Sequence, residues 1–124
     1  MFFNHWSKIP KNYWRWKDFP PYELASKGNG SLLVNEDALD LLQTARIRTN
    51  KPFFINSAYR DEHHNAMIGG APRSYHLEGR AFDISLRNHD KEKLIRILEQ
   101  VGFTGLGVNY QSFVHADNGR KRRW

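Results

Sequence analysis

Ser74-Tyr75-His76-Leu77-Glu78-Gly79-Arg80-Ala81-Phe82-Asp83 decides how this chain is read. It starts as a loop and ends as a strand. Phe82 and Ile84 fall on one face of that strand, Asp83 and Ser85 on the other. Gly79 lets the loop turn back, which can set His76 beside Asp83. A neutral imidazole and a carboxylate are suitable ligands for zinc. A second stretch, Phe113-Val114-His115-Ala116-Asp117, alternates in the same way. Val114 and Ala116 would face the core, and His115 and Asp117 a cleft. If this strand lies near the Asp83 strand, His115 becomes a third ligand. Three ligands leave one position open, as in catalytic zinc sites. Spacing alone does not decide this, because the chain has 6 histidines. His5, His63, His64 and His89 read as polar surface residues, with lining of the cleft an alternative for His64.

Outward from these stretches the elements follow in order. Pro20 and Pro21 can open a short helix through Tyr22–Ser26, closed by Gly28. Asn35 caps a longer helix whose stripe is Ala38, Leu41, Leu42 and Ala45, with Pro52 beyond its end. Residues 53–57 read as a strand, 61–67 as a short helix, and 70–79 as a loop. Asp90 caps a helix with the stripe Leu94, Ile97, Leu98 and Val101, and Gly102 stops it. Two short strands are expected near 106–109 and 113–117, joined by a turn that favours an antiparallel pair. The fold class is α+β: a small antiparallel sheet with helices on one face. Residues 1–19 read as an aromatic, basic segment packed on a single domain spanning 20–124. Within it, Trp14-Arg15-Trp16-Lys17 alternates as a short strand would.

The 124 residues suffice for one domain, which buries roughly two-thirds of its unfolded surface. There is no cysteine, so a metal site has to use His, Asp and Glu. The net charge of +6 favours anionic partners, such as cell-wall polymers. Nucleic acid stacked on Trp14, Trp16 and Trp124 and held by the run Arg120–Arg123 is a competing partner, but no ordered binding motif supports it. No apolar stretch has the length of a membrane span or a signal peptide.

The motif S-x-H-x-x-G-x-A-x-D at 74–83, followed by V-H-x-D at 114–117, resembles the zinc D-Ala-D-Ala carboxypeptidase family of M15-like peptidases. So do Ser57-Ala58-Tyr59-Arg60, His64-Asn65-Ala66, Gly69-Gly70-Ala71 and the final Arg123-Trp124. The likeness covers about residues 13–124. It is closest to small, often phage-encoded members, and extends to murein endopeptidases and the metal-binding domain of hedgehog signalling proteins. It implies that fold, Zn2+ as cofactor, and His76, Asp83 and His115 as its ligands. It implies that Arg60 contacts a substrate carbonyl or carboxylate, a role suited to a fixed guanidinium. An ion pair with Asp61 or Glu62 is the structural alternative for Arg60. Ser74 and Glu78, in the ligand loop, are further candidates for substrate contact.

One position departs from the family pattern. Many members carry an acidic base three residues before the last zinc histidine, where this chain has Ser112. Asp117 is the nearest acid, and reads either as general base or as the partner that orients a ligand histidine. Glu78 is a third candidate. The implied activity is hydrolysis of peptide bonds in the stem peptide of bacterial peptidoglycan, as a D,D-carboxypeptidase or an endopeptidase. The alternative is a zinc-containing wall-binding module with impaired catalysis. A monomer is expected, with no membrane partner. Without a signal segment, the expectation is a phage protein made in the host cytoplasm and acting on the wall.

Overall fold

A computed structural model describes all residues, Met1–Trp124. Its helices are α1 (Pro21–Leu24), α2 (Glu36–Thr49), α3 (Glu62–Met67) and α4 (Lys91–Val101). Its strands are β1 (Phe2–Phe3), β2 (Leu32–Leu33), β3 (Ile55–Ser57), β4 (Ala81–Ser85), β5 (Gly105–Gly107), β6 (Phe113–Asp117) and β7 (Arg122–Arg123). The class is α+β, as expected.

Side chains fix the helix starts. The carboxamide of Asn35 accepts from the Ala38 N–H at 2.9 Å, and the Asp90 carboxylate from Lys93 N–H at 3.1 Å. Asp61 does the same for α3, accepting from His64 N–H at 2.9 Å. In α2 the buried stripe is Ala38, Leu39, Leu42 and Ala45, so Leu39 takes the place expected for Leu41. In α4, Leu94 and Leu98 are buried, with Ile97 and Val101 packed beside them.

The main sheet runs β3-β4-β6-β5-β7. Its central pair is β4 with β6, antiparallel, with Asp83 opposite His115 and Phe82 opposite Ala116. Phe82, Ile84, Val114, Ala116 and Leu106 join one core with the stripes of α2 and α4. The two long helices therefore cover one face of the sheet. Asp83, His115 and Asp117 point to the other face.

Three local expectations are corrected. Residues 14–17 form no strand. The Trp14 indole N–H instead donates to the carbonyl oxygens of Trp16 (3.2 Å) and Phe19 (2.8 Å), which curls the segment. Trp16 is buried and donates to Asp40 Oδ1 at 2.8 Å, so these rings form no open stacking platform. Second, the basic run contributes a strand to the sheet. Arg122–Arg123 is an edge strand, parallel to β5, and so the sheet is not wholly antiparallel. Third, the 70–79 loop contains a 3-10 turn at Tyr75–Glu78. The pair β1–β2 has no sequence signal, since two-residue strands carry no readable periodicity.

Leu98 is fully buried between helix and sheet. Leu98→Ala should cost about 2–5 kcal/mol of stability. Urea unfolding should show this as a lower midpoint with an unchanged slope.

Candidate metal centre

The loop before β4 is shaped by its own residues. Ser74 Oγ accepts from the His76 N–H at 3.2 Å and starts the 3-10 turn. Gly79 ends it in the left-handed region, at φ 69°. A side chain there would also run into the Leu33 carbonyl. Arg60 N–H donates to the His76 carbonyl at 3.1 Å, which ties the turn to the end of β3. The result seats His76 beside the central strand pair.

Asp83 Oδ1 lies 3.2 Å from His76 Nε2 and 3.1 Å from His115 Nδ1. One ligand atom from each residue falls within 4.8 Å of the others, and all three residues are buried. The far nitrogen of each imidazole has its own acceptor. His76 Nδ1 is 2.6 Å from the Ala58 carbonyl oxygen, and His115 Nε2 is 2.7 Å from Asp117 Oδ2. Neither acceptor carries a proton, so Nδ1–H of His76 and Nε2–H of His115 donate. In the neutral rings the other two nitrogens then present lone pairs towards Asp83 Oδ1. Lone pairs converging at these distances repel unless a proton or a cation lies among them. The donor set, two imidazoles and a carboxylate with oriented outer hydrogen bonds, fits zinc.

The electrostatics agree with that geometry. Burial disfavours the Asp83 carboxylate, but in the metal-free site His115 and His76 outweigh it when a proton lies between their inward nitrogens and Asp83, and its pKa is held well below the usual range. Burial likewise opposes the charged form of His115. Its bonds to Asp117 and Asp83 win, and its pKa is raised above 6.5. Asp117 is pulled down against burial by His115 and by the Gly119 N–H.

A cavity of about 710 Å³ opens over the triad. Arg60 and Ser74 line it, as do the three expected ligands. Arg60 makes no pair with Asp61 or Glu62. It donates to Ser57 Oγ (3.0 Å), Asn65 Oδ1 (3.3 Å) and Asp83 Oδ2 (3.4 Å). Two candidates lie elsewhere. Glu78 is exposed, pairs with Arg80 at 3.4 Å, and does not line the cavity. Asp117 is sealed behind His115, with no exposed surface. Gly105 makes room for it, since a side chain there would strike the carboxylate. His64 does not line the cavity either.

Residues that sequence reading missed come mainly from the final segment. Arg120, Arg122 and Trp124 all line the cavity. Their period of two is the signal of a strand, hidden in a run that reads as plain charge. The Trp124 ring lies 5.0 Å from that of His115, and its N–H donates to Tyr110 Oη at 2.8 Å.

The buried His76–Asp83–His115 group, which could hold a metal ion, lies on an α+β scaffold under a cavity. The family model described as Peptidase M15 matches residues 21–117, and the chain belongs to that family. A search of curated proteins gives no match. Family membership implies a metallopeptidase with a peptide substrate. No helix is long and apolar enough to cross a membrane.

Two outcomes follow from this geometry. Asp117→Asn, which removes the charged acceptor behind His115, should weaken zinc binding roughly 10–100-fold with little change in fold. Competition with a chromogenic chelator measures this. A zinc ion bound at this group would also have to displace the proton that His115 holds below its raised pKa. Affinity should therefore be full at pH values above its raised pKa and fall as pH drops through it. The same titration repeated across pH 6.5 and above checks the sign.

Proposed function

We propose that this chain is a zinc-dependent peptidase that hydrolyses peptide bonds in the stem peptide of bacterial peptidoglycan. The convergence of His76 Nε2, Asp83 Oδ1 and His115 Nδ1 beneath the cavity carries the reading. His76, Asp83 and His115 would hold the zinc. Bound there, zinc supplies Lewis-acid polarisation and acidifies water for attack.

The chain's own groups do the rest. Ala58 and Asp117 keep the ring protons on the far nitrogens, so the ligand nitrogens stay directed inward. Arg60, braced by Ser57 and Asn65, holds a fixed positive charge at the cavity wall. It suits a carbonyl oxygen that gains negative charge during attack. Ser74 has a hydroxyl proton to offer substrate while its oxygen caps the turn. Asp117 acts through His115 and does not take a proton from substrate or water, because it has no access to the cavity.

A second reading is a zinc-containing wall-binding module with impaired catalysis. One observation favours it: Asp83 is the only carboxylate that lines the cavity, which leaves no spare acid as base. Digestion of purified peptidoglycan with the zinc-loaded protein decides between them. The peptidase reading expects new amino groups and shorter fragments by mass analysis, and their loss in His76→Ala. Tight zinc binding with no amine release supports the module instead.

A further inference from the structure

Four arginines line the cavity: Arg60, Arg73, Arg120 and Arg122. Two are committed. Arg60 reaches Asp83 Oδ2 at 3.4 Å. Arg122 reaches Asp117 Oδ2 at 3.6 Å and lies 4.3 Å from the Trp124 ring. Arg73 and Arg120 are not committed. Neither guanidinium has an ion-pair or hydrogen-bond partner, and only the backbone N–H of Arg120 is engaged, donating to Tyr75 Oη at 3.3 Å.

Their backbones are nevertheless fixed. Arg73 precedes the Ser74 cap. Arg120 follows a turn held by Asp117, which accepts from Gly119 N–H at 3.0 Å, and by Arg80, which donates to Asn118 Oδ1 at 2.8 Å. Tyr75 also lines the cavity and binds the Arg120 backbone, so the two free arginines border one chamber on anchored segments. Against four arginines the lining offers a single carboxylate, that of Asp83. Positive walls of this kind concentrate anions, and a guanidinium fork matches a carboxylate in shape as well as charge.

We propose that the cavity selects a peptide bearing a free carboxylate, and that Arg73 and Arg120 bind that carboxylate. A peptide whose carboxylates are amidated is then the poor ligand. The inference rests on the peptide-substrate reading of the site. The carboxylate is either the terminal one or that of an acidic residue within the stem.

Calorimetry on the zinc-loaded full chain tests this with four synthetic stem peptides. One has both carboxylates free, one has only the terminal group amidated, one only the internal group, and one has both amidated. Amidation of the recognised carboxylate should weaken binding about tenfold or more. The sensitive position tells a terminal from an internal source. In the double variant Arg73→Gln, Arg120→Gln the acidic peptide should bind no better than the amidated one. Both side chains are exposed, so the variant should fold. Equal binding of all four peptides, binding of none, or a preference that survives in the double variant overturns the proposal. Amine release in the same samples separates this from the peptidase reading. Preference without release keeps the inference and removes the peptidase; release without preference does the reverse.

Discussion

The whole arrangement depends on the placement of Asp83 opposite His115 in the central strand pair. That register puts a carboxylate and an imidazole side by side in the interior. Their burial is tolerable because each polar atom has a partner, and no buried side-chain nitrogen or oxygen is left unpaired. His76 comes to them from a loop whose shape is set by the Ser74 cap and Gly79. The apolar neighbours Phe82, Ile84, Val114 and Ala116 point the other way, into the helices. One strand pair thus supplies both the core and the site, from opposite faces.

The three central residues form one electrostatic unit. Burial alone would neutralise Asp83, yet the two histidines keep it charged. His115 is held at both ring nitrogens, by Asp83 on one side and Asp117 on the other. Such a ring has little freedom to turn, which is the condition a metal ligand needs. The same bonds hold Asp117 away from the cavity. Its carboxylate accepts from His115 and Gly119 and has no accessible surface.

Much of this was legible in the sequence. The 82/84 and 114/116 alternation gave the faces of β4 and β6, and the caps Asn35, Asp61 and Asp90 gave helix starts. The motif at 74–83 brought the ligand candidates into view, although only the register shows that they meet. What escaped notice has physical causes. Trp14 and Trp16 alternate like a strand but answer to nearby carbonyls and to Asp40. Residues 120–124 show no apolar alternation, because four of the five are charged, whereas here backbone pairing to β5 puts Arg120, Arg122 and Trp124 on the cavity side. Glu78 shares a loop with His76, yet in a tight turn two residues of separation point them apart. Asn65, which braces Arg60, gives no pattern of its own.

The alternation of β6 has a consequence for how the chain tolerates change in length. A slip of one residue would swing His115 and Asp117 into the helices and expel Val114 and Ala116. Misalignment would therefore bury two ionisable groups without partners, a cost of several kcal/mol. The polar residues thus act as a lock on alignment, quite apart from any chemistry. Insertions between 108 and 112 leave that lock intact, while one inside 113–117 breaks core and site together.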